Sequence, residues 1–223
     1  MIDWDKYPTP ERIRHHLSAN NYFPKKDLKI EPENYPPLYE NIDWSEHFAD
    51  GKPPKLLDIG CGFGWFSSDY STLIDDNLLG IEVRSKAVSY ALDVKKAEGL
   101  DNCSFLWYSV VNGLQFIEES SINKVFYFFP DPWFKKKHHK RRAFDLNFLK
   151  FCYRVLENGG ELRLQTDILE VHKYHLENLE EFGKFDYKVI EDDSKWDLPT
   201  TNKEKDCIKN GYEYYRIIAT KNV

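Results

Sequence analysis

The sequence predicts a doubly wound α/β fold with a mostly parallel sheet and an antiparallel C-terminal strand. From Lys55 onward, short apolar runs alternate with helical stretches, the pattern of parallel strands joined by helical crossovers. The run LLDIGCGFGWF, residues 56–66, places an apolar strand directly before three glycines. The last two strand-like runs break the alternation. We therefore expect ligands at the carboxyl ends of the parallel strands.

Each predicted strand is a short run of apolar residues bounded by turn-forming residues. In chain order they are Lys55–Ile59, Asn77–Val83, Cys103–Trp107, Lys124–Phe129, Glu161–Thr166, Phe185–Glu191 and Glu213–Ala219. Helical periodicity predicts the connections. The predicted helices follow Gly64 and cover Ser85–Gly99, a short stretch near Leu114, Arg142–Leu156 and Ile168–Phe182, with a turn at Asn158-Gly159-Gly160.

The composition predicts one main domain with an irregular extension before it. A chain of 223 residues that is 41% hydrophobic can bury a full core. Residues 1–54 carry most of the 11 prolines, which indicates an irregular extension, and residues 55–223 form the predicted domain. Apolar runs are too short to cross a bilayer, and the N-terminus lacks the order of a signal peptide. We therefore expect a cytoplasmic protein.

The charge is distributed unevenly along the chain. The net charge is -6, yet six of the 31 basic residues fall between Lys135 and Arg142, where there is no acidic residue. A basic segment on an acidic protein suits a phosphate-bearing partner bound at one place. A solvated helix start is the alternative. The four cysteines are far apart in sequence, so we expect free thiols rather than a disulfide framework or a zinc site.

The glycine-rich turn indicates a nucleotide cofactor. Glycines let the backbone approach a ligand, and the following helix start offers unpaired N–H groups. A dinucleotide fingerprint needs a glycine where this chain has Trp65. The spacing of Gly60, Gly62 and Gly64 instead resembles the first motif of class I S-adenosylmethionine-dependent methyltransferases, whose acidic residue matches Asp58. The resemblance implies S-adenosyl-L-methionine as cofactor and a Rossmann-like class I methyltransferase sheet.

Two further strand ends complete the predicted cofactor site. The run LLGIEVR ends a strand at Glu82, at a distance from the glycines that suits a carboxylate accepting both ribose hydroxyls. Capping of the next helix is the alternative reading of Glu82. Arg84, at the end of the same run, is a further candidate cofactor-binding residue. Ser109 stands where methyltransferases often have Asp or Asn against the adenine, so its contact with adenine stays open.

The turn PDPW after the fourth predicted strand is the candidate reaction centre. Pro130 and Pro132 fix φ on both sides of Asp131 and remove two backbone donors, so the carboxylate is mounted on a stiff loop. Such preorganisation suits catalysis. The alternative is a proline-rich turn with a solvated aspartate.

The stretch FFPDPWFKKKHHKRR, residues 128–142, resembles the signature of the tRNA (guanine-N7)-methyltransferases. That family has F-P-D-P-[WH]-x-K followed by K-x-x-H-x-K-x-R, and the resemblance extends through IDWSEHF, GIEVR, TD and TNKE. It implies transfer of a methyl group from S-adenosyl-L-methionine to N7 of a variable-loop guanine, guanine(46), in tRNA. Asp131 is then the catalytic residue. Lys135, Asp167, Thr201 and Glu204 are implied to bind the substrate.

Guanine N7 carries a lone pair, so methylation needs no base to remove a proton there. Orientation then supplies much of the rate, by general estimates about 7 kcal/mol or more. A carboxylate at Asp131 can hold the guanine N–H edge and offset the charge that develops on the ring. Trp133 and Phe134 are available for base stacking.

The segment Thr201–Glu204 fits two roles. Its spacing is that of a capping box, starting a helix over Lys205–Asn210 that ends at Gly211. By the family resemblance it also binds the target guanine, since a Glu carboxylate can accept from two guanine N–H groups. The roles are compatible because Thr201 can cap while Glu204 contacts the base.

The basic segment is predicted to contact tRNA phosphates. Its candidate RNA-binding residues are Lys136, Lys137, His138, His139, Lys140, Arg141 and Arg142. His172 and His175 share a helix face, but no third ligand has a suitable spacing, so no metal is expected. Eukaryotic members of the family require a β-propeller subunit and bacterial ones do not. We therefore expect that partner only for a eukaryotic-type chain, and otherwise a monomer or homodimer.

Two other functions remain open from sequence. A methyltransferase of the same fold acting on a small molecule or a protein amine would leave the basic segment unexplained. A non-catalytic RNA-binding subunit with a degenerate cofactor pocket would fit Ser109, but not the intact Asp131, Glu82 and glycine turn.

Overall fold

The computed structural model describes residues 1–10, 17 and 19–222. Its strands are β1 (Leu56–Ile59), β2 (Leu78–Glu82), β3 (Cys103–Trp107), β4 (Ile122–Phe128), β5 (Leu156–Thr166), β6 (Phe185–Val189) and β7 (Tyr215–Lys221). Its α-helices are α1 (Trp65–Ser71), α2 (Ser85–Glu98), α3 (Leu146–Val155), α4 (Leu169–Phe182) and α5 (Asn202–Asn210). Within the described ranges, no helix is long and apolar enough to cross a membrane.

The strands form a seven-stranded sheet in the order β3-β2-β1-β4-β5-β7-β6. The β1–β2, β2–β3 and β4–β5 pairs are parallel, whereas β7 is antiparallel to both β5 and β6. The predicted fold class, a mostly parallel sheet with an antiparallel C-terminal strand, is confirmed. The chain divides into two compact units, Met1–Phe116 and Ile117–Val223.

The first unit contains β1 to β3 with α1 and α2. Its three strands are buried over almost their whole length, which explains why they read as continuous apolar runs rather than alternating ones. Because β1 and β2 are parallel and paired, Ile59 opposite Ile81, their carboxyl ends lie at one edge. That edge carries the glycine turn and Glu82.

The N-terminal segment belongs to the same unit. Between residues 1 and 54, its described part contains short 3-10 helices, Trp4–Lys6, Ala19–Tyr22, Lys25–Asp27 and Trp44–Glu46. The Asp69 carboxylate on α1 anchors the chain start, because it accepts the backbone N–H of Ile2 at 2.9 Å and the indole N–H of Trp4 at 3.1 Å. Ile2 packs with Tyr90 and Val94 of α2.

The second unit contains β4 to β7 with α3, α4 and α5. Phe128 at the end of β4 pairs with Gln165 near the end of β5, so the loops after these parallel strands leave from one edge. Strand β7 returns antiparallel, placing Tyr215 opposite Thr166 and Arg216 opposite Gln165. The residues that follow β4, follow β5 and precede β7 therefore leave or enter the sheet near the same strand ends.

The structure corrects the predicted start of α3. We expected a helix over Arg142–Leu156, but Lys136–Arg141 form a 3-10 helix and α3 begins only at Leu146. The cause is Asp145, whose carboxylate accepts the backbone N–H groups of Asn147 and Phe148 at 2.8 Å and so fixes the helix start.

Two smaller predictions also differ from the structure. The predicted turn at residues 158–160 lies inside β5, where the pairing with β4 becomes irregular rather than the strand ending. The helix expected near Leu114 is a 3-10 turn over Val110–Asn112.

Candidate active site

The glycine turn after β1 is built by backbone conformations that favour glycine. Gly60 has φ 79° and is exposed, and a Cβ there would have no atom within 4 Å. Gly64 has φ 74°, and a Cβ there would lie 2.6 Å from the Phe105 ring. Gly60 thus leaves open space above the turn, whereas Gly64 lets α1 start directly against β3. Gly62, with φ 60°, lies between them.

The Glu82 carboxylate at the end of β2 is 5% exposed and already surrounded by donors. Its Oε1 accepts the backbone N–H and Nε–H of Arg84, both at 3.0 Å. Its Oε2 accepts the N–H of Gly62 at 3.0 Å and the Nη2–H of Arg84 at 3.2 Å. Glu82 therefore ties the glycine turn to the start of α2, where Arg84 is the N-cap residue.

Asp58 lies below this turn rather than on its surface. It is 3% exposed, and its carboxylate accepts the hydroxyl hydrogen of Ser67 on α1 at 2.5 Å. Burial raises the pKa of Asp58 to about 7, the Ser67 hydrogen bond opposes this shift, and the charge of Glu82 adds to it. Asp58 thus joins β1 to α1, and its accessible area is small.

Ser109 is 5% exposed, and the N-terminal segment covers it. Its hydroxyl donates to the carbonyl of Asn21 in a long contact of 3.4 Å. The same segment is held nearby because the Lys25 N–H donates to the Asn112 side chain at 2.8 Å. Nothing in the sequence indicated that residues 19–35 would lie on the end of β3.

The Pro130-Asp131-Pro132 turn lies between two residues with left-handed backbones. Phe129 has φ 47° and Trp133 has φ 45°, values that non-glycine residues rarely adopt. The Phe129 N–H donates to the carbonyl of Gln165 on β5 at 2.7 Å. Asp131 is exposed on the turn. Burial raises the pKa of Tyr127 on β4, and the negative charge of Asp131 raises it further.

Arg142 holds the other end of this turn. Its Nε–H and Nη2–H both donate to the carbonyl of Pro132, at 3.0 and 2.7 Å, and Nη2 is 2.9 Å from the Glu170 carboxylate on α4. The side chain is only 6% exposed. In the structure, Arg142 therefore differs in burial from the exposed lysines of the basic segment.

The remaining basic segment offers cations to solvent. Lys135, Lys137 and Lys140 are exposed, whereas His138, His139 and Arg141 are partly buried. The Lys136 side chain lies outside the described part of the structure. Desolvation and the neighbouring cations Arg141, Lys137 and Lys135 lower the pKa of His138 below its usual value. The lysines thus carry the exposed charge.

Arg141 and His138 fold back onto Trp133. The Arg141 guanidinium lies 5.0 Å from the Trp133 ring centroid, and the His138 ring meets the indole edge-on at 5.9 Å. Phe134, by contrast, is 61% exposed. Of the two aromatics predicted for base stacking, Phe134 is the more accessible.

The residues implied to bind the substrate base come together in the second unit. Lys203 on α5 bridges to Asp167 after β5 at 3.0 Å. The capping box forms: the Thr201 hydroxyl accepts the N–H of Glu204 at 3.1 Å, and the Glu204 carboxylate accepts the N–H of Thr201 at 3.3 Å. The other Glu204 oxygen pairs with Arg216, and Glu204 is 2% exposed.

Sequence reasoning did not predict the cations beside this cluster. Trp196 is 6% exposed, and the guanidinium groups of Arg163 and Arg216 lie 5.4 and 5.1 Å from its ring centroid. Arg216 also pairs with Asp193 at 2.5 Å. These partners lie on β5, β7 and the loop before α5, so no local sequence pattern could have indicated the cluster.

The two histidines on α4 are buried separately among aromatic rings. The His172 ring stacks on Tyr215 at 5.0 Å, and the His175 ring lies 4.3 Å from that of Phe144. Burial lowers the pKa of His175 to about 3, with the charges of His172 and Arg142 adding to the shift. In the described ranges, no three His, Cys, Asp or Glu side chains are grouped to hold a metal ion.

Comparison with known proteins assigns this arrangement to a family. A family model described as "Putative methyltransferase" matches residues 52–217. The tRNA (guanine-N(7)-)-methyltransferase of Lactobacillus gasseri is 32% identical over 71% of this chain and 74% of that protein. That of Thermosynechococcus vestitus is 28% identical over 92% of each.

A solved structure supports the fold. The SAM dependent methyltransferase from Aquifex aeolicus matches with a TM-score of 0.54 at 17% identity, covering 75% of this chain and 82% of that one. At this identity the likeness concerns the sheet and its helices. The glycine turn and the P-D-P turn lie within residues 52–217, and together with the L. gasseri relative they assign the chain to the tRNA (guanine-N(7)-)-methyltransferase family.

Proposed function

We propose that this chain transfers a methyl group from S-adenosyl-L-methionine to N7 of a tRNA guanine, guanine(46) in the variable loop. The observation that carries the proposal is the exposed Asp131 on a turn bounded by two left-handed residues. Two relatives of this chain carry the name tRNA (guanine-N(7)-)-methyltransferase, which also supports the proposal. The basic 3-10 helix beside the turn supports a polyanionic substrate.

The glycine turn fits the cofactor. The open space above Gly60 and the Glu82 carboxylate lie at the strand ends where nucleoside-binding folds place their ligand. Because both Glu82 oxygens already accept hydrogen bonds from Gly62 and Arg84, ribose hydroxyls bind Glu82 only by replacing some of these donors. When bound, S-adenosyl-L-methionine supplies an electrophilic methyl group on a sulfonium. Gly60, Gly62, Gly64 and Glu82 hold it in this proposal. Arg84 orients Glu82, Asp58 supports the turn from below, and Ser109 lines the adenine side.

Asp131 orients the guanine. Its carboxylate accepts from the N–H edge of the base, and its negative charge offsets the positive charge that develops on the ring as N7 is methylated. Because N7 already carries a lone pair, no side chain has to remove a proton from it. The rigid turn restricts the carboxylate before the base arrives, which lowers the orientation cost of the reaction.

Asp167, Thr201 and Glu204 bind the same base in this proposal. Support comes from the Lys203 bridge to Asp167 and from the capping box, which bring the three residues into one cluster. Glu204 can contact guanine only after its carboxylate turns from Arg216 or from the Thr201 N–H, since both oxygens are already engaged. Binding of the base would therefore be accompanied by a change at α5.

Lys135 and the basic 3-10 helix bind phosphates of the tRNA. The exposed Lys137 and Lys140 are the best placed for this, with Lys136, His138, His139 and Arg141 beside them in the chain. Each phosphate contact that is lost should reduce the slope of log affinity against log salt by about 0.7 to 0.9.

We propose that residues 55–223 form the methyltransferase domain and residues 1–54 an extension, whose described part lies against the cofactor side of the first unit. Support comes from Asp69, which holds Ile2 and Trp4, from the Trp4 ring 5.9 Å from Trp65, and from the contact of Asn21 with Ser109. Removal of residues 1–10 should therefore speed cofactor exchange.

The cellular setting follows from the substrate. We propose that the chain acts on tRNA in the cytoplasm, and its four free cysteines are compatible with a reducing compartment. A β-propeller subunit is proposed only if the chain is of the eukaryotic type; otherwise it acts as a monomer or homodimer.

One assay tests the reaction. Purified chain is incubated with labelled S-adenosyl-L-methionine and unmodified tRNA, and the product is treated with borohydride and aniline, which cleave at 7-methylguanine. We expect label in tRNA and a single cut in the variable loop. Label without a cut would indicate another acceptor atom, and absence of label both with the chain alone and with a β-propeller subunit added would contradict the proposal. Label in protein or a small molecule would favour a different substrate.

A further inference from the structure

Arg142 ends the basic segment in sequence but does not point with it to solvent. Its side chain is 6% exposed, whereas Lys135, Lys137 and Lys140 are exposed. A buried guanidinium cannot offer its charge to a phosphate without leaving its partners. The burial of Arg142 therefore favours a role in holding its partners over direct contact with a phosphate.

The partners of Arg142 are one backbone carbonyl and one carboxylate. Two of its N–H groups donate to the Pro132 carbonyl, at 3.0 and 2.7 Å, and the Glu170 carboxylate accepts from Nη2 at 2.9 Å. The guanidinium also lies 4.8 Å from the ring centroid of Tyr174 on α4. The Pro132 carbonyl belongs to the residue directly after Asp131, so Arg142 holds the turn next to the proposed catalytic carboxylate.

The backbone of this turn needs such a restraint. Left-handed conformations at Phe129 and Trp133 each cost on the order of 1 kcal/mol, and they persist only where surrounding contacts impose them. The Phe129 N–H, bonded to the Gln165 carbonyl at 2.7 Å, fixes the start of the turn. Arg142 fixes its end.

We propose that Arg142 is a positioning residue for methyl transfer: its two N–H groups on the Pro132 carbonyl, braced by Glu170, set the direction of the Asp131 carboxylate. The proposal rests on the proposed function. Two parallel donors restrict a carbonyl in direction as well as distance, which a single lysine ammonium cannot reproduce. A shift of about 1 Å in such a group can reduce a rate by about 100-fold.

The test compares kinetic constants of Arg142→Lys and wild type on unmodified tRNA. We expect kcat to fall by about 10- to 100-fold. The KM for tRNA and the affinity for S-adenosylhomocysteine should stay within about twofold of wild type, because neither the phosphate contacts nor the glycine turn changes. In Arg142→Ala, ethylguanidinium at tens of millimolar should restore part of kcat, since it can occupy the vacated slot.

Lys137→Gln is the matched control on the same segment. This variant loses an exposed cation, so we expect a higher KM, little change in kcat and a salt slope smaller by about 0.7 to 0.9. If Arg142→Lys showed that same pattern, Arg142 would be a phosphate contact and the proposal would be wrong. Wild-type values of kcat and KM in Arg142→Lys would also overturn it.

Folding of the variants is monitored by thermal melting and by binding of S-adenosylhomocysteine. If Arg142→Lys is unfolded at the assay temperature, Glu170→Gln replaces it, since its side chain is 55% exposed and the change is small. A several-fold loss of kcat at constant KM in that variant supports the proposal, and unchanged kinetics overturn it. The proposed function fails separately, if wild type itself gives no cut at 7-methylguanine.

Discussion

Two carboxylates of this chain differ in burial and in the backbone that carries them. In the first unit, Glu82 is 5% exposed and accepts four hydrogen bonds from Gly62 and Arg84. In the second, Asp131 is exposed, and hydrogen bonds of the Phe129 N–H and the Pro132 carbonyl hold the backbone on either side of it. If Glu82 binds the cofactor and Asp131 the base, as proposed, the buried carboxylate belongs to a preformed cofactor site and the exposed one is presented on a fixed backbone to a base that arrives from solution.

Because the two carboxylates differ in this way, we expect substitutions in the two units to change different properties of the protein. Changes in the first should affect stability and cofactor affinity, because the glycine turn is part of a packed core. Changes around Asp131 should affect kcat.

The largest effect on stability is expected from Gly64→Ala. The new Cβ would lie 2.6 Å from the Phe105 ring and 2.9 Å from Ala91, at φ 74°. Strain and overpacking together should lower the free energy of unfolding by about 2–4 kcal/mol. Gly60→Ala is the matched control, since its φ is 79° but its Cβ would have open space, so about 1 kcal/mol is expected. Urea unfolding measures both, and equal losses would contradict the packing argument.

A smaller effect, on binding, is expected from Glu82→Gln. The amide keeps the shape but turns an NH2 toward donors of Gly62 or Arg84, so hydrogen bonds to the glycine turn are lost. We expect the Kd for S-adenosylhomocysteine to rise by about 10- to 100-fold, the range of one charged hydrogen-bonded group. Calorimetry measures this, and filter binding should show unchanged tRNA affinity. An unchanged cofactor Kd would remove Glu82 from the proposed cofactor site.

The remaining effects concern pH, and they have opposite signs. Burial raises the pKa of Asp58 to about 7 from an unfolded value of 3.8, so its contribution to stability is complete below about pH 4 and is lost as pH rises to 7. Burial lowers the pKa of His175 to about 3 from 6.5, so its contribution is complete above pH 6.5 and is lost as pH falls.

Melting temperatures between pH 4 and 8 test both groups. Asp58→Asn should flatten the decline toward pH 7, and His175→Leu should flatten the loss toward pH 4, each by up to about ten degrees. The wild-type curve provides the reference because all other titrating groups are shared. Variant curves parallel to wild type would contradict the assignments.

The sequence predicted the features that depend on local spacing. The strands around the glycine turn, the antiparallel end of the sheet and the capping box at Thr201 were expected from short patterns and occur in the structure. The predicted start of α3 at Arg142 was wrong, because Asp145 is a stronger N-terminal cap than the basic residues before it.

Features that depend on distant partners were not predictable. From the sequence, Arg142 was predicted to bind RNA like the other cations of the basic segment, because its partner Glu170 lies 28 residues further along the chain. From the sequence, Glu204 was predicted to be an accessible carboxylate, whereas in the structure Arg216 on β7 lies beside it. The contact of Asn21 with Ser109 spans 88 residues. In each case, burial of a polar side chain is set by tertiary packing that local patterns do not encode.

The most direct test is the single-turnover rate of methyl transfer to tRNA by Asp131→Ala, measured with its affinity for S-adenosylhomocysteine. We predict that the rate falls by at least about 100- to 1000-fold, the cost of removing one group that stabilises developing charge. The affinity for S-adenosylhomocysteine should remain within about twofold of wild type. A rate close to wild type, or a parallel loss of cofactor binding, would contradict the role given to Asp131.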